Sequence, residues 1–172
     1  MKKRLTKTMF AVLGAAVFGL AGCTEKVSPI ETMYTTLEGV VSAESDFNEQ
    51  QEPLHDIEQE EHELFEQIIS LSMNEFDQIV SLSKEALLLV EQRKEKMETE
   101  RKSMIESEEK FKEVQTIIET IEDEGLKAQA SELSEIMNSR YQVHQALYDA
   151  YMKGIQLDQE LYTMLQDENL TL

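Results

Sequence analysis

LKAQASELSEIMNSRYQVHQALYDAYMKGIQLDQELYTMLQ, residues 126–166, contains no proline, and its apolar residues recur at helical spacing. Ile136, Val143, Ala150, Leu157 and Met164 return every seven residues. Leu133, Leu147 and Leu161 form a neighbouring row, and Tyr141, Tyr148, Ile155 and Tyr162 another. At ~100° per residue the three rows cover an arc of about 160°. A two-helix seam is narrower than that, so a helix this widely apolar calls for two or three neighbours.

The chain upstream supplies them. Phe76, Ile79, Val80, Ala86, Leu87, Val90, Met97, Met104, Phe111, Val114, Ile118 and Ile121 mark a second long helix, which Glu122-Asp123-Glu124-Gly125 breaks. Before it, Ser72 and Glu75 offer a capping box, and a first helix opens at Ser28-Pro29-Ile30-Glu31 with a cap, a first-turn proline and a further capping box. Apolar residues run from Ile30 to Ile69 without a change of phase at Pro53. Either one long helix kinks at Pro53 or two helices meet in line there; the kinked helix is the expectation. At ~1.5 Å per residue each helix is roughly 60–75 Å long.

Composition agrees. The 172 residues include no Trp, six Gly and two Pro, and no apolar–polar alternation marks a strand. The expected fold is all-α: an elongated antiparallel bundle of three long helices, up-down-up. Asp167 to Leu172 reads as a turn with Thr171 placed like a helix cap, so a fourth helix is expected to be missing.

Charge sets the expected register. Lys and Arg are absent from Val27 to Ser83, a span with 14 acidic residues, while seven basic residues lie between Arg93 and Lys112. Folding back near residue 73 brings 93–102 alongside 44–53, and folding back near 124 sets Arg140 beside Glu108.

The N-terminus is an address. Lys2, Lys3, Arg4 and Lys7 precede an uncharged run from Met9 to Leu20, a length suited to a signal peptide and short of the ~20 residues a spanning helix needs. Leu20-Ala21-Gly22-Cys23 resembles the lipobox of bacterial lipoproteins at all four positions. That resemblance implies a diacylglycerol on the Cys23 thiol and cleavage before it. Two acyl chains anchor stably where one is marginal, at about 0.8 kcal/mol per buried methylene. The expected organisation is a signal peptide over 1–22, a lipidated N-terminus and short linker over 23–28, and a helical domain over 29–172. Cys23 is the single cysteine, so no intramolecular disulfide can form.

The full chain carries 16 Lys+Arg against 35 Asp+Glu. Removing residues 1–22 takes away four basic residues, leaving 12 − 35 = −23. No basic surface remains for nucleic acid, and adhesion of the body to an anionic bilayer by charge is disfavoured.

Several stretches together resemble one family: the lipobox, then SPIETMYTTLEGVV, FNEQQEPL, LFEQIISLSMNEFDQIVSLSKEAL, IIETIEDEGLKAQASEL and LYDAYMKGIQLDQELYTMLQDENLTL. They are similar to the YkyA-type cell-wall-binding lipoproteins of Gram-positive bacteria. The resemblance implies a helical bundle on the outer face of the cytoplasmic membrane, associated with the wall, without catalytic residues or a cofactor. Cys23 is the one functional residue it carries over.

Other candidates weigh less. Glu52-Pro53-Leu54-His55 has the Glu-x-x-His spacing of carboxylate-bridged di-iron bundles, but no second copy exists. His55 and His62 lie among acidic residues that could loosely hold a divalent cation, or could simply be solvated. Tyr141, Tyr148 and Tyr162 could stack sugar rings, although packing with wet hydroxyls explains them better. Leu87, Leu88 and Leu89 read as core facing several neighbours. No nucleophile elbow, phosphate loop or zinc motif occurs. The expected role is a non-enzymatic spacer or binding module, with no metal and no cofactor. Its partners are the membrane through the lipid and either a wall polymer or an envelope protein. An adaptor docking onto envelope proteins through helical faces is the alternative.

Overall fold

The computed structural model describes residues 28–169. Of these, 91% are helical and none is in a strand. The helices are α1 (Pro29–Ala43), α2 (Ser45–Ser70), α3 (Phe76–Glu119) and α4 (Glu124–Met164), with a 3-10 turn over Met73–Glu75. Leu20, Ala21, Gly22 and Cys23 lie outside the described residues. No described helix is long and apolar enough to cross a membrane.

The caps at Ser28 and Ser72 form where the sequence placed them. Ser28 Oγ accepts from the Glu31 N–H at 3.2 Å with Pro29 at the first helical position. The Ser72–Glu75 capping box is present, with the Ser72 N–H donating to Glu75 Oε2 at 3.1 Å. Asp123 Oδ1 accepts from the Leu126 N–H at 2.8 Å, so α4 begins inside the Glu122–Gly125 segment expected to be the break.

α1 and α2 together make the first of three long helical stretches, which is bent by 28°. The helix is interrupted at Glu44, and α2 runs on through Pro53. The cause is a side chain from α3. Ser103 Oγ accepts from the Phe47 N–H at 3.1 Å and donates to the Ala43 carbonyl at 2.6 Å. Those two backbone groups would bond each other in a continuous helix, so the hydroxyl sits inside the ladder and opens it.

Burial follows steps of three and four residues. On α3 the sequence of inward positions is Ile79, Ser83, Ala86, Val90, Arg93, Met97, Glu100, Met104, Ser107, Phe111, Val114 and Ile118; Ile121, just past the helix end, continues it. All are buried except Arg93, which is half-buried. Met33, Val40, Phe47, Leu54, Glu61 and Ile68 keep a seven-residue spacing straight across Glu44. Two apolar clusters result. One gathers Met33, Val40, Phe111, Val114, Ile118 and Ala130, and the other Ile68, Ile79, Ala86, Val90, Ile155 and Tyr162. Polar residues occupy the length between them.

α3 is the central element. It packs on α1 and α2 along one side and on α4 along another, while the Cα atoms of α4 stay more than 8 Å from those of α1 and α2. Phe47 meets Ser103, Gln51 meets Glu100 and Glu61 meets Arg93. Ser107 meets Tyr141, Glu100 meets His144 and Arg93 meets Tyr151. Partner numbers fall along one helix as they rise along the next.

The wide apolar arc of α4 is only partly buried. Ile136, Val143, Leu157 and Met164 are 53–66% exposed, and Ala150 is exposed with them. With α3 as its one close backbone neighbour, α4 buries Ala130, Ser134, Tyr141, His144, Ile155 and Tyr162 instead. Leu147 and Leu161 are exposed too. The triple leucine splits: Leu89 is buried, Leu87 half-buried and Leu88 exposed.

Candidate functional site

Three polar layers cross the middle of the helices. In the first, Glu44, the residue between α1 and α2, faces α3 and α4. Arg140 donates from Nη1 to Glu44 Oε1 at 2.5 Å and from Nη2 to Glu44 Oε2 at 2.8 Å. Ser107 Oγ donates to Glu44 Oε1 at 2.7 Å and lies 2.8 Å from the Tyr141 hydroxyl. Burial pushes the Glu44 carboxyl up, but the bonds from Arg140 and Ser107 outweigh it and the net shift is downward. Burial also raises the Tyr141 phenol. The expected neighbour of Arg140 was Glu108; the guanidinium instead reaches across to the first helical stretch, passing 3.8 Å from Met104 Sδ.

In the second layer Glu100 is 2% exposed. Its Oε1 lies 3.1 Å from His144 Nε2, and its Oε2 accepts from Gln51 Nε2 at 2.9 Å. The Phe47 ring stands edge-on to the imidazole at 5.7 Å.

The third layer centres on Arg93. It donates to Glu61 Oε2 at 2.5 Å, to Asp158 Oδ2 at 3.0 Å and to the Tyr151 hydroxyl at 2.9 Å, and that hydroxyl donates to Glu58 Oε1 at 2.5 Å. Burial pushes the Glu61 carboxyl above its ordinary value, further than the Arg93 guanidinium pulls it down. Burial likewise raises the Tyr151 and Tyr162 phenols. An open groove of about 380 Å³ between α2 and α4 is lined by Phe65, Asp158 and Leu161 with this layer at its floor.

Chemically, each of these polar groups is engaged by another. A bidentate guanidinium–carboxylate pair and a shared guanidinium fix orientation and register rather than offering a free nucleophile or base. The exception is Ser83, whose buried hydroxyl has no hydrogen-bond partner.

The residues weighed from sequence fall elsewhere. Glu52, His55 and His62 are exposed on α2, with His62 Nε2 4.0 Å from Glu66 Oε1. No group of three His, Cys, Asp or Glu among the described residues is placed to hold a metal ion. Tyr141 and Tyr162 are buried, and the Arg101 guanidinium lies 4.2 Å over the Tyr148 ring. The three rings do not form an open stacking ladder.

Sequence reasoning missed the polar interior altogether. A heptad count along α3 places Arg93, Glu100 and Ser107 on one inward row, which was the available signal.

The second feature is the outer face of α4. Ile136, Val143, Leu147, Leu157, Leu161 and Met164 leave an apolar stripe there that no described residue covers. A continuous stripe of this kind marks a contact surface more often than chance exposure does.

No solved structure matches the chain. It is 33% identical over 152 residues to the "Uncharacterized lipoprotein YkyA" of Bacillus subtilis (strain 168), covering 88% of this chain and 68% of that protein. Residues 28–172 match the family profile YkyA, described as "Putative cell-wall binding lipoprotein". The chain therefore belongs to the YkyA family of lipoproteins.

Proposed function

We propose that this chain is a non-enzymatic contact rod of the cell envelope, held by a diacylglycerol on Cys23 at the outer face of the cytoplasmic membrane. Its three long helical stretches run up-down-up as an elongated, coiled-coil-like bundle. The observation that carries the proposal is the family match, which spans the whole helical body. The lipobox residues Leu20, Ala21, Gly22 and Cys23 supply the anchor. The paired polar interior supports a role in contact rather than turnover.

Charge constrains how such a rod meets the wall. A body of −23 repels anionic wall polymers at short range. Divalent cations, neutral glycan or a protein must mediate contact. Purified walls sedimented with the protein are expected to lose most of it when divalent cations are chelated. Retention unchanged by chelator and by added salt would contradict a cation-mediated contact.

A second reading, an adaptor that docks helix to helix, is favoured by the uncovered apolar stripe of α4. Recovery with a protein partner after wall material has been digested away distinguishes it.

A further inference from the structure

α1 is tied to the other helices at one end. Among the described residues it makes a single hydrogen bond to α2, α3 or α4, from Ser103 Oγ to the carbonyl of its last residue, Ala43. The next residue, Glu44, carries the two-pronged bond from Arg140 and the bond from Ser107. We infer that α1 is a releasable strap: it undocks from α3 and melts as one unit as far as Ala43, where the polar layer at Glu44 stops the opening.

Three observations carry it. The first is the thinness of the dock. Met33 and Val40 are the buried side chains of α1, with Leu37 half-buried between them, and all three belong to the cluster around Phe111 and Val114. α3 is the one helix that α1 runs along. α2, by contrast, is tied across its length, by Gln51 to Glu100, Glu58 to Tyr151 and Glu61 to Arg93. Sparse burial and few tertiary hydrogen bonds mark the parts of a protein that open first. Undocking still exposes Phe111 and Val114, both fully buried, so the closed state dominates.

The second is the joint. The backbone bond between Phe47 and Ala43 is already replaced by Ser103, so melting α1 breaks no backbone bond of α2 there. Ser103 Oγ keeps the Phe47 N–H when it loses Ala43. Arg140 and Ser107 keep the Glu44 side chain, and the Asn48 side chain keeps the Glu44 carbonyl. The start of α2 is clamped, and opening ends at that point.

The third is the fate of α1 once free. It has 15 residues, among them Gly39 and the β-branched Thr35, Thr36, Val40 and Val41. Isolated helices shorter than about 12–15 residues are marginal even in alanine-rich sequences, and glycine and β-branched residues weaken them further. Undocked, α1 loses its helix.

One consequence rests on the anchor reading. With lipid on Cys23, tension between membrane and body enters at the N-terminal end of α1. Melting turns a helix of ~22 Å into a tether of ~50 Å when extended, and the Glu44 layer protects the rest of the rod.

Hydrogen exchange read by mass spectrometry on the full chain, purified in detergent, tests the strap. The readout does not depend on what Cys23 carries, so it can fail without the anchor reading failing. Amides of α1 are expected to exchange at least about tenfold faster than those of α3 around Met97 to Phe111, with the step at Glu44. Ile155→Val, which trims the far apolar cluster and folds readily, should speed exchange around Ile155 severalfold and leave α1 at its wild-type rate. Arg140→Gln should carry fast exchange past Glu44 into the first two turns of α2. Exchange of α1 at the rate of α3, or a rise in α1 alongside the far cluster in Ile155→Val, overturns the strap. A step that stays at Glu44 in Arg140→Gln overturns the stop.

Discussion

The Ser103 hydroxyl stands between the Phe47 N–H and the Ala43 carbonyl, 3.1 Å from one and 2.6 Å from the other, replacing the backbone bond they would make together. One side chain on α3 thereby fixes where the first helical stretch breaks and docks α3 at that height. Ser103→Ala leaves both backbone groups without this partner. It is expected to cost about 1–3 kcal/mol in urea unfolding, since an unsatisfied buried polar group loses its solvation without compensation. An unchanged midpoint and slope would show that the break does not depend on the hydroxyl.

Ser83 supplies the contrast. It is fully buried and its hydroxyl has no partner. Ser83→Ala is expected to be neutral or to stabilise by up to about 1 kcal/mol, because removing an orphaned polar group removes its desolvation cost. Measured under the same conditions as Ser103→Ala, a loss of more than about 1 kcal/mol would mean the hydroxyl has a role in the fold after all.

Arg93 holds two carboxylates and a phenol in the third polar layer. Arg93→Met strips the cation from Glu61, which is 5% exposed, and from Asp158. Removing one partner of a buried pair typically costs ~3–5 kcal/mol, far more than the intact pair contributes over an apolar replacement. Substituting Glu61 and Asp158 by apolar residues in the same chain should therefore recover most of the loss. Failure of that recovery would indicate that Arg93 contributes by packing over the Tyr151 ring, which lies 5.1 Å from its guanidinium carbon.

Acid should act on two of the layers in opposite directions. The Glu44 carboxyl is lowered in the folded state from about 4.5, so its contribution is complete above that value and is lost as pH falls through the folded one. Glu61 is raised from about 4.5, so protonation as pH falls through its folded value favours the folded chain. Glu44→Gln is expected to destabilise by roughly 1–2 kcal/mol at neutral pH, discounted because Arg140 is partly exposed. The gap from wild type should narrow as pH drops below 4.5. Glu61→Gln takes one partner from Arg93 and so begins from a loss, but it should show the reverse trend, its gap from wild type narrowing as pH rises above 4.5. Parallel pH curves for Glu44→Gln and wild type would count against the assignment.

The helical class and the caps at Ser28 and Ser72 were legible because each rests on local chemistry, whereas the Asp123 cap lay inside the expected break and Arg140 pairs with Glu44 rather than Glu108. The interruption at Glu44 was not legible, since its cause lies 60 residues away on α3. Pro53 was the local signal, and α2 absorbs it. The α2–α3 register was close: Gln51 and Glu100 belong to the two stretches expected to lie side by side, while Arg93 sits further along, at Glu61. On α4, two rows at the same spacing competed. Hydropathy favoured Ile136 and Val143, but the tyrosine row goes inside because α3 offers Ser107 and Arg93 to the Tyr141 and Tyr151 hydroxyls, and apolar partners to the rings. Taken one residue at a time, Glu100 and His144 carry no signal of burial. The seven-residue count along α3 reveals Glu100 as interior, and His144 is the α4 residue that meets it.

Fractionation of cells producing wild type and Cys23→Ala tests the central claim, a rod of paired helices held to the envelope by lipid on one sulfur. The wild-type chain should pellet with membranes and be released by detergent, and the variant should appear in the medium or in the soluble wall fraction. Finding Cys23→Ala still in the membrane pellet, extractable only with detergent, would contradict the account.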